Sequence, residues 1–144
     1  MARTKDDRTL DLFEVPQPAA PLPGAMDYRS VVAGLVGEVL RAAGVDRHEI
    51  AARCSRLSGK DVSKYMLDAY TSEAREEFNL PLWLVPALEE ACGTHDVTNW
   101  LVATRGGRLL IGREALTADL GKLERQKLEV EQLIKKLKKQ LGDA

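Results

Sequence analysis

Six side chains in one short stretch, Arg53, Arg56, Lys60, Asp61, Ser63 and Lys64, are of types suited to binding rather than to bond chemistry. Arginine and lysine neutralise phosphates, and with serine they also donate to base edges. An aspartate among them either caps a helix or accepts from a cytosine amino group, and capping is the expected role of Asp61. Between Arg41 and Lys64 there are six Lys or Arg against three Asp or Glu, in a chain of net charge -1. A uniformly basic coat is therefore excluded, and any nucleic-acid face has to be local. The competing reading of the same charges is a solvated face with no partner.

Those residues need helices to hold them. Ile50, Ala51, Cys54 and Leu57 recur at helical spacing, and after a break at Ser58 and Gly59 so do Val62, Tyr65, Met66 and Ala69. Two short amphipathic helices joined by a glycine-containing turn make a helix-turn-helix, whose second helix can enter a DNA major groove. On this reading Ala52 is the small residue that lets the helices approach, and Val62 and Tyr65 pack back on the first. The second helix, near residues 61–70, presents Lys60, Asp61, Ser63 and Lys64 at its N-terminal end. The segment resembles the helix-turn-helix of phage repressors and their relatives. Arg56 stands where that family usually has its turn glycine and Gly59 follows three residues later, which implies a longer first helix and a turn of different shape.

The flanking elements are also helical. Val31, Val32, Leu35, Val36, Val39 and Leu40 predict an amphipathic helix over residues 27–43, closed by Gly44, with Asp46 capping the next. Further on, Pro81 suits a first helical turn and Pro86 bends or restarts a helix that Gly93 ends. Leu84, Leu88 and Cys92 are expected to close the core. Val97, Trp100, Leu101 and Ala103 form one more short helix before Gly106 and Gly107, with Thr94 or Asp96 capping it and Trp100 in the core. Two helices after the recognition helix again look like the phage-repressor family. The resemblance covers about residues 28–107 and implies a small phage or prophage regulator.

Beyond residue 112 a different periodicity takes over. Leu116, Leu120, Leu123, Lys127, Val130, Ile134, Leu137 and Leu141 alternate by four and three, a heptad seam of about four repeats. Such a strict period favours self-association over packing along the chain's own domain, and Lys127 at a core position disfavours higher oligomers, so a homodimer is expected, with a hetero-partner site the alternative use of the seam. The GGRLLIG run before it lacks the Lys-Ser/Thr of a phosphate loop and reads as a hinge. At the other end, residues 1–26 read as a disordered, proline-rich tail. It carries Leu10, Asp11, Leu12 and Phe13 after Thr9, similar to the short peptide by which bacterial replication proteins bind the sliding clamp, with Thr9 in place of the usual Gln. The cluster alternatively docks on the protein's own domain, or has no fixed partner.

Catalysis finds little to work with. His48 and His95 are the two histidines, and Cys54 and Cys92 the two cysteines. None stands at metal-ligand spacing, and the adjacent pairs Glu76-Glu77 and Glu89-Glu90 point different ways on a helix. No catalytic residue, metal or cofactor is expected. The cysteines read as reduced packing residues, and with no membrane-spanning run or signal-peptide core a cytoplasmic protein is expected.

The sequence thus predicts an all-α chain: a tail (1–26), a helix-turn-helix domain (27–107), then a hinge and coiled-coil helix (108–144). The expected function is a dimeric DNA-binding regulator reading a pseudo-palindromic site. The alternative is a non-enzymatic adaptor that oligomerises through its last helix and recruits a host replication protein such as the sliding clamp through residues 9–13.

Overall fold

The computed structural model describes residues 15–142, and among these it is helical, with no strand. The chain divides into two compact units between Arg108 and Leu109, inside the glycine-flanked stretch expected to be a hinge.

The first unit holds α1 (Arg29–Ala42), α2 (Arg47–Ser58), α3 (Lys64–Tyr70), a 3-10 turn at Leu82–Leu84, α4 (Val85–Cys92) and α5 (Asp96–Thr104). The sequence's stop signals act where they stand. Gly44, Gly59 and Gly93 all take positive φ, closing α1, α2 and α4 in the left-handed conformation that glycine adopts without strain. Asp46 caps α2 by accepting the His48 N–H at 2.7 Å. Pro81 precedes the 3-10 turn and Pro86 lies in the first turn of α4, where no N–H is missed.

The core is a single cluster fed by every element up to α4. Val36 and Leu40 come from α1, Ile50, Ala51 and Cys54 from α2, Leu67 and Tyr70 from α3, and Leu84 with Leu88 from the region of α4. α2 packs chiefly on α4 and then on α3. Ala51, not Ala52, is the small buried residue of α2. Ile50 and Cys54 fix the buried face by their i,i+4 spacing, which turns position 52 outward. Val31 and Leu57 likewise stand exposed at the margins of their stripes.

α5 is held at both ends. Near its start, the Glu89 carboxylate of α4 accepts the Thr98 N–H at 3.1 Å and the Thr98 hydroxyl. Glu89 is only 5% exposed, so these contacts and the adjacent helix N-terminus are what make a buried carboxylate tolerable. The Thr94 hydroxyl accepts the Asp96 N–H at 3.1 Å. Trp100 is half-buried and meets Tyr28 edge to face at 5.2 Å, a packing role on the margin of the core.

The proline-rich stretch departs from expectation in its described part. Ala19 donates its N–H to the Thr104 carbonyl at 2.9 Å, and Pro18 bridges Arg105. Prolines exclude a helix here but leave an extended strap that lies on the C-terminal end of α5. Gly106 makes the approach possible, because a Cβ there would fall 2.7 Å from Pro18. The Leu10, Asp11, Leu12 and Phe13 peptide lies outside the described residues.

The second unit is one helix, α6 (Arg113–Gln140), in which no side chain is buried. The expected heptad seam lies entirely within it, apart from Leu141 at its C-cap. No helix among the described residues is long and apolar enough to cross a membrane.

Candidate nucleic-acid interface

The candidate interface is built from α2, residues 59–63 and α3. Its connector exceeds the three to four residues usual for such turns, and two serines on the last turns of α2 organise it. The Ser55 hydroxyl accepts the Val62 N–H at 2.9 Å and lies within donating distance of the Val62 and Ala51 carbonyls, at 3.0 and 2.9 Å. Ser58 donates to the Cys54 carbonyl at 2.6 Å and accepts the Lys60 N–H at 3.2 Å. With Val62 buried, the connector is pinned at its centre to the helix it leaves.

α3 begins later than its sequence pattern suggested. Ser63 is its N-cap, accepting the Met66 N–H at 3.2 Å. Asp61 stands exposed in the connector, with no hydrogen bond among the described residues, so the expected capping role passes to Ser63. The shift also reorients the helix. Val62 lies ahead of the helix and does not set its phase, Leu67 and Tyr70 enter the core, and Tyr65 is 80% exposed instead of packing on α2.

The six expected contact residues therefore divide. Arg56, Lys60 and Asp61 project from the end of α2 and the connector, their side chains without hydrogen bond or ion pair among the described residues. Arg53, by contrast, holds the unit together. It pairs with Glu49 at 3.2 Å and donates to the Ala91 carbonyl at 3.1 Å, binding α2 to the last turn of α4. Ser63 is spent on the cap. Lys64 pairs with Asp68 at 2.8 Å, and Arg47 reaches the other oxygen of the same carboxylate at 2.6 Å. Asp68 thus ties the start of α2 to α3. The hydrogen bonds from Lys64 and then Arg47 hold its carboxyl below the usual aspartate range, and Asp68 in turn raises the Lys64 ammonium.

Sequence reasoning missed three residues here. Tyr65 at the first turn of α3 is one, and its signal was available: Ser63 immediately before Lys64 is a stronger cap than Asp61 followed by valine. Asp68 and Arg47 are the others, since their pairing joins residues far apart in the chain. Behind the interface, Arg29 gathers the loop that follows α3. Its guanidinium donates to the main-chain carbonyls of Ser72, Glu73 and Glu76 at 3.3, 2.9 and 3.2 Å, and to that of Arg75.

Among the described residues no group of His, Cys, Asp and Glu side chains is placed to hold a metal ion. The class that the fold defines is an all-α protein with one compact helical unit and one separate long helix. Comparison with known protein families, curated proteins and solved structures finds no significant match to the chain.

Proposed function

We propose that the chain is a DNA-binding regulatory protein of phage or prophage type. It works as a dimer on a pseudo-palindromic site, with α2 and α3 as its helix-turn-helix and α6 as its coiled-coil dimerisation helix. The observation that carries the reading is the pinned connector, with unpaired Lys60 on it, unpaired Arg56 on the last turn of α2 before it and exposed Tyr65 in the first turn of α3 after it. Arg56 and Lys60 supply phosphate contacts. Lys64 joins them by exchanging Asp68 for a phosphate, and Tyr65 is placed to meet sugar or base edges. The protein is cytoplasmic on this reading.

The test is selection of full-length protein against a randomised duplex pool at low and physiological salt. The expected result is a two-fold motif whose affinity falls steeply with salt. Arg56→Glu with Lys60→Glu should remove most binding and lower the salt slope by about two. These positions are cleaner than Lys64, whose reversal also breaks the Asp68 pair. No binding at low salt would overturn the reading.

A second reading is favoured by the exposed Leu82 and Trp83, side by side on the 3-10 turn. There the helical unit is a protein-docking module of an adaptor, and residues 9–13 grip a replication protein such as the sliding clamp. Leu12→Ala with Phe13→Ala would then abolish partner capture, while Arg56→Glu with Lys60→Glu would leave it intact.

A further inference from the structure

The seam of α6 is an unpartnered apolar face. Its seven apolar side chains are between 47% and 72% exposed, on the order of 700 Å² a side, close to the roughly 800 Å² per partner of a standard interface. What covers it follows from how charge is laid along the helix. We infer that α6 pairs with α6 of a second copy in antiparallel orientation, in the register that sets Leu116 against the partner's Leu141. The inference rests on the dimer proposed above and fixes its geometry.

In that register the remaining layers set Leu120 against the partner's Leu137, Leu123 against the partner's Ile134, and Lys127 against the partner's Val130. Every seam position is used, and none overhangs. The alternative, a parallel pair, brings Lys127 against its own copy in the middle of an apolar seam. It also stacks like on like at the lysine-rich end, since residues 127–142 carry five Lys and two Glu whereas residues 113–126 carry three cations and three anions. Asp119 would also face the partner's Glu124 across the parallel pair, a second repulsion. Antiparallel pairing lays each cationic half along a neutral one. It brings Lys127 within one residue, about 1.5 Å along the axis, of the level of the partner's Glu131, on the flank where Glu124 also comes within two residues of that partner carboxylate, so Lys127 lies between two glutamates that would otherwise repel. The lysine that costs stability in one orientation is neutralised in the other.

Because the chain joins α6 at its N-terminal end, the two copies leave such a pair at opposite ends, about 45 Å apart.

Orientation is read by disulfide trapping in the full chain, with Leu116→Cys and Leu141→Cys carried on separate copies that are mixed before mild oxidation. The native thiols interfere little, because Cys54 is buried and burial pushes Cys92 up to about 11. The expected product is the mixed 116–141 disulfide, at least tenfold over either self-linked product. A second variant pair checks the charge argument without cysteine: Lys127→Glu should weaken self-association in sedimentation, and adding Glu131→Lys should restore it. Self-linked 116–116 and 141–141 products would overturn the orientation while leaving a dimer in place. A chain that sediments as a monomer would overturn the dimer itself, whatever its DNA binding.

Discussion

Ser55→Ala is the sharpest probe of the α2–α3 connector, because one hydroxyl serves as acceptor and donor for a buried stretch. The Val62 N–H it accepts at 2.9 Å sits beside a side chain only 7% exposed, so water does not reach it easily when the hydroxyl is removed. An orphaned buried N–H costs about 1–3 kcal/mol. For a unit of this size that is a fall in Tm of roughly 5–20 °C. Ser58→Ala is the internal control. Its hydroxyl accepts the N–H of exposed Lys60, which water can satisfy, so its cost should stay below about 0.5 kcal/mol. Urea denaturation of both variants, with unchanged m-values, measures the difference. Equal and small effects would refute the reasoning, since they would mean that the connector is not held at Val62.

Asp68→Asn is expected to lower Tm by a few degrees at neutral pH and to matter progressively less in acid. Lys64 and Arg47 depress the folded carboxyl, so its contribution is present above the ordinary aspartate value of about 3.9 and is lost as pH falls through the lower folded value. Thermal melts from pH 7 down to about pH 2 check it. Arg29→Met should free the loop at residues 72–76 from its four carbonyl contacts. Amide exchange there should rise at least tenfold while the Leu88 region stays protected.

How far the sequence reached depends on whether a feature is local. Helix ends set by one residue's own preference, such as Asp46 at the start of α2 and Gly93 at the end of α4, were legible because cap and glycine chemistry act within a few residues. The phase of α3 was not, because Val62 is apolar and buried without being helical, and so it fits the helical stripe while belonging to the connector. Counting it in the stripe placed Tyr65 inside and Asp61 on the cap. In the candidate site, charge type was readable and charge employment was not. Nothing in the spacing says that Arg53 reaches the Ala91 carbonyl 38 residues on or that Arg47 meets Asp68. Those contacts exist only once α2 has packed on α4 and α3. The proline strap was misread for a related reason: prolines exclude a helix but do not exclude docking, and the carbonyl that receives Ala19 is 85 residues away in the chain.

That strap sets a leash length. With Pro18 and Ala19 fastened to the end of α5, only five residue steps separate Phe13 from the anchor, a reach of at most about 18 Å. Any protein that grasps residues 9–13 is drawn against the strap's own side of the helical unit. It cannot be held at the distance a freely trailing 26-residue tail would permit.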